Sequence, residues 1–207
     1  MGIIIAVALI GYALGSISFS VIFSRKFAGF DVRDKGSGNA GTTNVLRTAG
    51  AKVAALTLVC DILKGVAAVL VAFAIAKIAK HETPEILIQI AGFFAVVGHT
   101  FPVYFGFKGG KGVATALGIL LLTNWQIGLI CLVFAILVMA LTRMVSLGSI
   151  MAAVLFPVLT MFITENYLVN GNYIIFGIAM AVLVIFNHRS NLKRIYKGEE
   201  NKLSFKK

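Results

Sequence analysis

Apolar residues in this chain run on without a break for long stretches, and polar residues gather in the short gaps between them. A helix needs roughly 20 apolar residues to cross the hydrocarbon of a bilayer. Seven runs reach or approach that length, at residues 3–23, 52–79, 86–105, 112–123, 125–142, 147–164 and 171–187. The fourth is short for a crossing, which is tolerated where one end meets polar protein instead of lipid. The first has no basic residue ahead of it and no small-residue cleavage site, so it reads as a retained helix and not as a signal peptide.

Composition strengthens the pattern, with 59% hydrophobic and only 13% charged residues, where a soluble domain carries about 25% charged. No polar stretch is long enough to fold alone, so a single domain over 1–207 is expected. Cys60 and Cys131 both fall inside apolar runs and suggest neither a disulfide framework nor a metal site.

A net charge of +11 could point to nucleic acid or to an anionic surface. Position decides between them. In the seven-helix layout every one of the 19 Lys and Arg residues except Lys64, Lys77 and Lys80 falls on one side. Basic residues mark the cytoplasmic side of a membrane protein. The expectation is an all-α integral membrane protein with seven transmembrane helices, the N-terminus outside and the C-terminus cytoplasmic, with no nucleic-acid partner required. The polar segments at 31–52, 105–112, 143–149 and 188–193 then share the cytoplasmic face and can converge on one site, while the opposite loops are short.

The segment 31–52 is the long polar exception, with four glycines, two asparagines and three threonines among acids and bases. In Gly36-Ser37-Gly38-Asn39-Ala40-Gly41-Thr42-Thr43-Asn44 the glycines permit positive φ and close backbone approach, so successive N–H groups can surround an anion. A helix beginning near Thr42 or Thr43 would add its own N–H groups, with Arg47 one turn beyond Thr43 on the same face. A flexible linker is the alternative. In the second segment, 98–112, Lys108 and Lys111 sit in a glycine-rich turn and suit phosphate as point charges, or serve only to set topology. The nucleotide P-loop is excluded, because it follows a strand and places Ser or Thr after its Lys, where this chain has Gly112.

Four further features carry two readings or one clear pairing. His99 is a functional residue or an interhelical contact. Asp61 and Lys64, three apart in an apolar run, are expected to pair and face inward. Ser146 and Ser149, following Arg143, either cap a helix or reach a substrate oxygen. His188 and Asn191 can face the same way, while the neighbouring basic residues meet lipid headgroups.

Together the motifs at 36–47, 98–112 and 188–193 resemble those of the bacterial acyl-phosphate:glycerol-3-phosphate acyltransferase family, and the likeness in length, layout and motif order covers nearly the whole chain. The resemblance implies transfer of a fatty acyl group from acyl phosphate to the 1-hydroxyl of glycerol 3-phosphate, giving lysophosphatidic acid. It implies a site on the cytoplasmic side of a bacterial plasma membrane, no cofactor and no metal. Glycerol 3-phosphate, fatty acyl phosphate and membrane lipids become the expected partners, with a monomer as the expected unit. Motif by motif, it marks Ser37, Asn39, Thr43, Asn44 and Arg47, then Lys108, then Ser146, then His188 with Asn191. Gly36, Gly38 and Lys111 complete the phosphate-binding set on their own chemistry, and Ala40 and Thr42 are positions where variation is expected.

The physics fits that implication. Acyl phosphate is already activated and phosphate is a competent leaving group, so positioned donors suffice and no covalent enzyme intermediate is demanded. Ser37 and Ser146, with nearby backbone N–H groups, are therefore expected as donors to the reacting oxygens. The hydroxyl proton goes either to His188 or to a substrate phosphate oxygen that His188 positions. The His, four residues, Asp pair used by many glycerolipid acyltransferases is absent, because His81, His99 and His188 are followed five positions on by Ile86, Tyr104 and Lys193. That disfavours acyl-CoA as donor. The competing class is a membrane carrier of a phosphorylated solute, which calls for polar groups along both halves of a path and not on one face.

Overall fold

The computed structural model describes residues 1–163 and 173–203. Among these residues all regular structure is helical: α1 (Gly2–Gly15), α2 (Phe19–Ala28), α3 (Thr42–Ala49), α4 (Ala51–Ile78), α5 (Pro84–Thr100), α6 (Val113–Thr123), α7 (Trp125–Thr142), α8 (Val145–Leu159), α9 (Tyr173–Asn187) and α10 (Arg189–Tyr196), with 3-10 turns at Val32–Asp34 and Val103–Phe105. The loop expected at 165–172 and the adjoining ends of its two apolar runs lie outside the described residues.

Among the described residues each of the seven apolar runs contains helix, but four segments are long and apolar enough to cross a membrane, namely Gly2–Ala28, Ala51–Ile78, Pro84–Phe105 and Trp125–Thr142. A fifth appears if α9 and α10, bent by 62°, are taken together. The 11 residues of α6 rise roughly 16 Å, about half a hydrocarbon thickness.

The chain divides into two compact units, Met1–Thr123 and Asn124–Lys207. In the first, the expected single helix over 3–23 is two helices, broken at Ser16, Ile17 and Ser18. Serine hydroxyls compete with the backbone for hydrogen bonds, and this stretch has three within five residues, at Ser16, Ser18 and Ser20. The break exposes the Ile17 carbonyl, which accepts a hydrogen bond from Lys64 Nζ at 2.7 Å. Helix α1 lies close along α5 because Gly11 and Gly15 meet the Ala91 and Ala95 carbonyls where any Cβ would collide.

Below the glycine-rich segment sits a small apolar cluster of Val21, Val32, Ala40, Val45 and Ala54, against which Ala49, Val53 and Phe105 pack. Ala40 is fully buried at 0% exposure, so the variation expected there is confined to small side chains. This cluster is what seats the loop on α2, α3 and α4.

In the second unit α8 packs on α9, where Gly177 lets the chain approach Pro157. Phe156, Tyr173 and Phe176 form an aromatic triad with ring centroids 5.4 to 6.0 Å apart, mostly in edge contacts that suit the ring quadrupole. The bend between α9 and α10 falls at His188, whose backbone N–H and ring Nδ1 both reach the Val184 carbonyl, at 3.1 and 2.8 Å. A side chain that enters the hydrogen-bond ladder in this way is a common cause of a kink.

Candidate active site

The first glycine-rich segment is built around Asn44, in the first turn of α3, which begins at Thr42 where the sequence placed it. Asn44 is 2% exposed. Its Oδ1 accepts from Ser37 N at 2.9 Å, and its Nδ2 donates to the Val32 and Lys35 carbonyls at 2.8 and 3.0 Å. The side chain thus pins 32–37 by both ends of its amide. Gly36 and Gly38 take φ of +61° and +69°, the left-handed region that lets the chain turn so tightly.

The sequence suggested a ring of N–H groups open to an anion. In the structure four of them turn inward instead: Ser37 N to Asn44 Oδ1, Gly38 N to Lys35 O, Ala40 N to Gly109 O and Gly41 N to Asn39 O. Thr42 and Thr43 open α3, and the first N–H groups of a helix have no intrahelical acceptor. Side chains around this loop remain accessible, with Ser37 and Arg47 exposed and Asn39 and Thr43 half-buried.

The two glycine-rich motifs are brought together. Ala40 N donates to Gly109 O at 3.3 Å, and Arg33 NH1 reaches the Phe105 and Lys108 carbonyls at 2.6 and 3.4 Å. Lys108 is exposed and Lys111 half-buried. Gly109 N and Gly110 N fold back on the Thr100 and His99 carbonyls at 3.1 and 3.0 Å, which ties the turn to the end of α5. A Cβ on Gly110 would strike both His99 Nε2 and the Ala40 carbonyl, so glycine is required there for close approach.

Under this turn lies a buried charged group. Lys64 Nζ is 2.8 Å from Asp61 Oδ1, as the i, i+3 spacing foretold, and both side chains are at most 3% exposed. His99 joins them, with Nδ1 3.6 Å from the same oxygen and 3.4 Å from Thr115 Oγ1. Lys64 also faces the Phe19 ring at 5.9 Å. His99 is thus an interhelical contact of α5 with α4 and α6.

Outside the membrane-spanning helices, Asp31 gathers Arg33 and Arg25. Hydrogen bonds from the Arg33 guanidinium hold its carboxyl well below the usual carboxylate range, against the upward push of burial. The same pairing raises Arg33.

In the second unit Ser146 does not cap α8. Met144 occupies that position, and the buried Ser146 hydroxyl donates to Glu200 Oε1 at 2.8 Å. Asn191 Nδ2 donates to the same oxygen at 2.6 Å, and Arg194 Nε donates to Oε2 at 2.9 Å. Ser149 bonds back to the Val145 carbonyl within its own helix. His188, 2% exposed, directs Nδ1–H at Val184 O, which leaves the lone pair of the neutral ring on Nε2. No motif in the sequence marks Glu200 or the pairing of Arg33 with the second glycine-rich segment. The only trace of Glu200 is an acidic pair, Glu199-Glu200, in an otherwise basic tail.

A family model described as glycerol-3-phosphate acyltransferase matches residues 5–198. A glycerol-3-phosphate acyltransferase of Clostridioides difficile is 42% identical over 207 residues, covering 98% of this chain and 97% of its own. One from Shouchella clausii is 41% identical over 203 residues with the same coverages, 98% and 97%. Among solved structures, the glycerol 3-phosphate form of PlsY (YgiH), an integral membrane glycerol 3-phosphate acyltransferase, superposes with a TM-score of 0.85 at 33% identity, covering 97% of this chain and 96% of that one. Its lysophosphatidic acid form gives 0.83 at 31% identity, with coverages of 97% and 95%. An all-helical membrane chain with full-length matches of this kind belongs to the glycerol-3-phosphate acyltransferase family.

Proposed function

We propose that this protein transfers a fatty acyl group from acyl phosphate to the 1-hydroxyl of glycerol 3-phosphate, forming lysophosphatidic acid and phosphate at the cytoplasmic face of a bacterial plasma membrane. The observation that carries the reading is the likeness over nearly the full chain to PlsY, a protein solved in a glycerol 3-phosphate form and a lysophosphatidic acid form. In this reading the chain crosses the membrane seven times, N-terminus outside, with the short α6 and α8 ending against protein and not lipid.

The 1-hydroxyl oxygen attacks the acyl carbonyl carbon directly. The bond from that carbon to the phosphate oxygen breaks, and phosphate leaves with the electron pair. The hydroxyl proton passes to a substrate phosphate oxygen, with His188 holding the acceptor in place. Arg47, Lys108 and Lys111 neutralise phosphate charge, Asn39 and Thr43 with the α3 N-terminus donate to phosphate oxygens, and the exposed Ser37 hydroxyl donates to the reacting oxygens. Gly36, Gly38 and Asn44 shape the loop. Ser146 and Asn191 act from the position in which Glu200 holds them, and Ser146, with its O–H donating a hydrogen bond to that carboxylate, presents an acceptor on its other side.

The test is to incubate purified protein with fatty acyl phosphate and radiolabelled glycerol 3-phosphate. Labelled lysophosphatidic acid and an equal amount of phosphate are expected, and acyl-CoA in place of acyl phosphate is expected to give none. Accumulation of label inside sealed vesicles with no lipid product would replace the reading with a carrier. His188→Ala separates the two proton routes. Weaker glycerol 3-phosphate binding with single-turnover chemistry largely kept fits positioning, and loss of the chemical step at saturating substrate makes His188 the base.

A further inference from the structure

The turn that carries Lys108 has an unusual backbone. Gly106 and Phe107 stand consecutively in the left-handed region, at φ +66° and +60°. Glycine adopts that conformation freely, whereas a bulky side chain such as Phe107 rarely does and needs its surroundings to hold it there. Pro102 O closes the inside of the turn by accepting from Phe105 N and Phe107 N, at 3.1 and 2.9 Å. The carbonyls that flank the left-handed pair, Phe105 and Lys108, both point at one donor, Arg33 NH1, at 2.6 and 3.4 Å.

Arg33 is itself aimed. Its Nε and NH2 grip the two oxygens of Asp31, at 3.0 and 2.8 Å, and its backbone N donates to Asp31 Oδ1 at 2.9 Å. Arg25 adds a further bond to Asp31 at 2.8 Å. With one edge of the planar guanidinium locked, NH1 has a single direction left, toward the turn. The Arg33 and Asp31 side chains are only 19% and 10% exposed, so water competes weakly for these bonds.

We propose that Arg33 is a positioning residue for Lys108, holding the 102–108 turn in the shape that presents the lysine to a substrate phosphate, and that Asp31 orients Arg33 for that task. The inference rests on the proposed phosphate role of Lys108. It assigns to Arg33 a task beyond the topological one that any basic residue at this place performs. Lysine cannot take it over, because a single ammonium lacks the fork that grips Asp31 and reaches both carbonyls at once.

The test uses the whole protein in detergent, as Arg33→Ala, Arg33→Lys, Lys108→Ala and the Arg33→Ala/Lys108→Ala double variant. Amide hydrogen exchange across 105–110 reads the tether without reference to activity. Faster exchange there is expected in both Arg33 variants, with protection of α4 unchanged. In the acyltransferase assay kcat/KM is expected to fall about 10- to 100-fold in each, as for misplacement of a substrate-binding group. In the Lys108→Ala background, Arg33→Ala is expected to cost less than about twofold more, because both changes remove the same contact. Wild-type exchange and kinetics in Arg33→Lys would overturn the proposal, since charge alone would then suffice. Effects that multiply in the double variant would also overturn it. If Arg33→Ala fails to fold, the Lys variant alone decides. Wild-type constants in Lys108→Ala would instead remove the phosphate role of Lys108 and the kinetic half of the proposal with it, leaving the tether to stand or fall on exchange.

Discussion

Glu200 accepts a hydrogen bond from the Ser146 hydroxyl at 2.8 Å across 54 positions of chain. Through Asn191 and Arg194 the same carboxylate ties α8, α10 and the tail together. Glu200→Ala removes all three bonds and leaves buried donors without an acceptor, at about 1–3 kcal/mol for the first such group. A fall of several degrees in the melting temperature of the detergent-solubilised protein is expected, with a smaller fall for Glu200→Gln. An unchanged melting temperature in Glu200→Ala would show that the clasp carries no stability.

The same carboxylate sets an acid response. Burial pushes Glu200 up, but hydrogen bonds from Asn191, Ser146 and Arg194 outweigh it and hold the carboxyl below its ordinary value. A carboxyl lowered in the folded state stabilises fully above its unfolded pKa, about 4.3 for Glu, and loses that contribution as pH falls through the folded pKa. Asp31, lowered by Arg33, has the same sign. Thermal stability is therefore expected to decline on acidification below about pH 4, and melting curves from neutral to acid pH should show a shallower decline in Glu200→Gln. Equal slopes in both proteins would remove Glu200 from the response.

Asn44 offers a test by near-isosteric change. Asn44→Asp keeps the oxygen that receives Ser37 N but loses the NH2 group that donates to the Val32 and Lys35 carbonyls, and sets a charge against them. Asn44→Asp is expected to lower kcat/KM at least as far as Asn44→Ala, about 10- to 100-fold for a displaced loop. Near-wild-type kinetics in Asn44→Asp would contradict the pinning role.

The buried pair in α4 predicts strong coupling. Asp61→Leu strands the Lys64 ammonium beside its lost partner, and breaking a buried pair costs about 3–5 kcal/mol. The Asp61→Leu/Lys64→Met double change is expected to recover much of that loss, short of wild type because Ile17 O loses its donor. A double-mutant cycle in thermal unfolding measures the coupling, and additive losses would refute it.

Much of this fold was legible in the sequence because apolar runs in a membrane chain have one economical conformation. The start of α3 at Thr42 and the Asp61–Lys64 pair follow from local spacing, and both stand in the structure. The break at 16–18 leaves a local trace in Ser16, Ser18 and Ser20, but its compensation does not show there, because it comes from Lys64, far along the chain. Glu200 is hidden for the same reason, as nothing in a polar tail points to a serine on α8. Glycine spacing suggested a loop open to anions, but it says nothing of which N–H groups a neighbouring asparagine or a second loop will claim.

The hydrogen bond from Lys64 to Ile17 also links two moments in biosynthesis. Ile17 is synthesised 47 residues before Lys64, so the carbonyl bared at the α1–α2 break is made before the ammonium that satisfies it. A nascent chain ending before Lys64 lacks that donor. The hydrogen bonding of the α1–α2 break is therefore complete only once the chain has extended into α4.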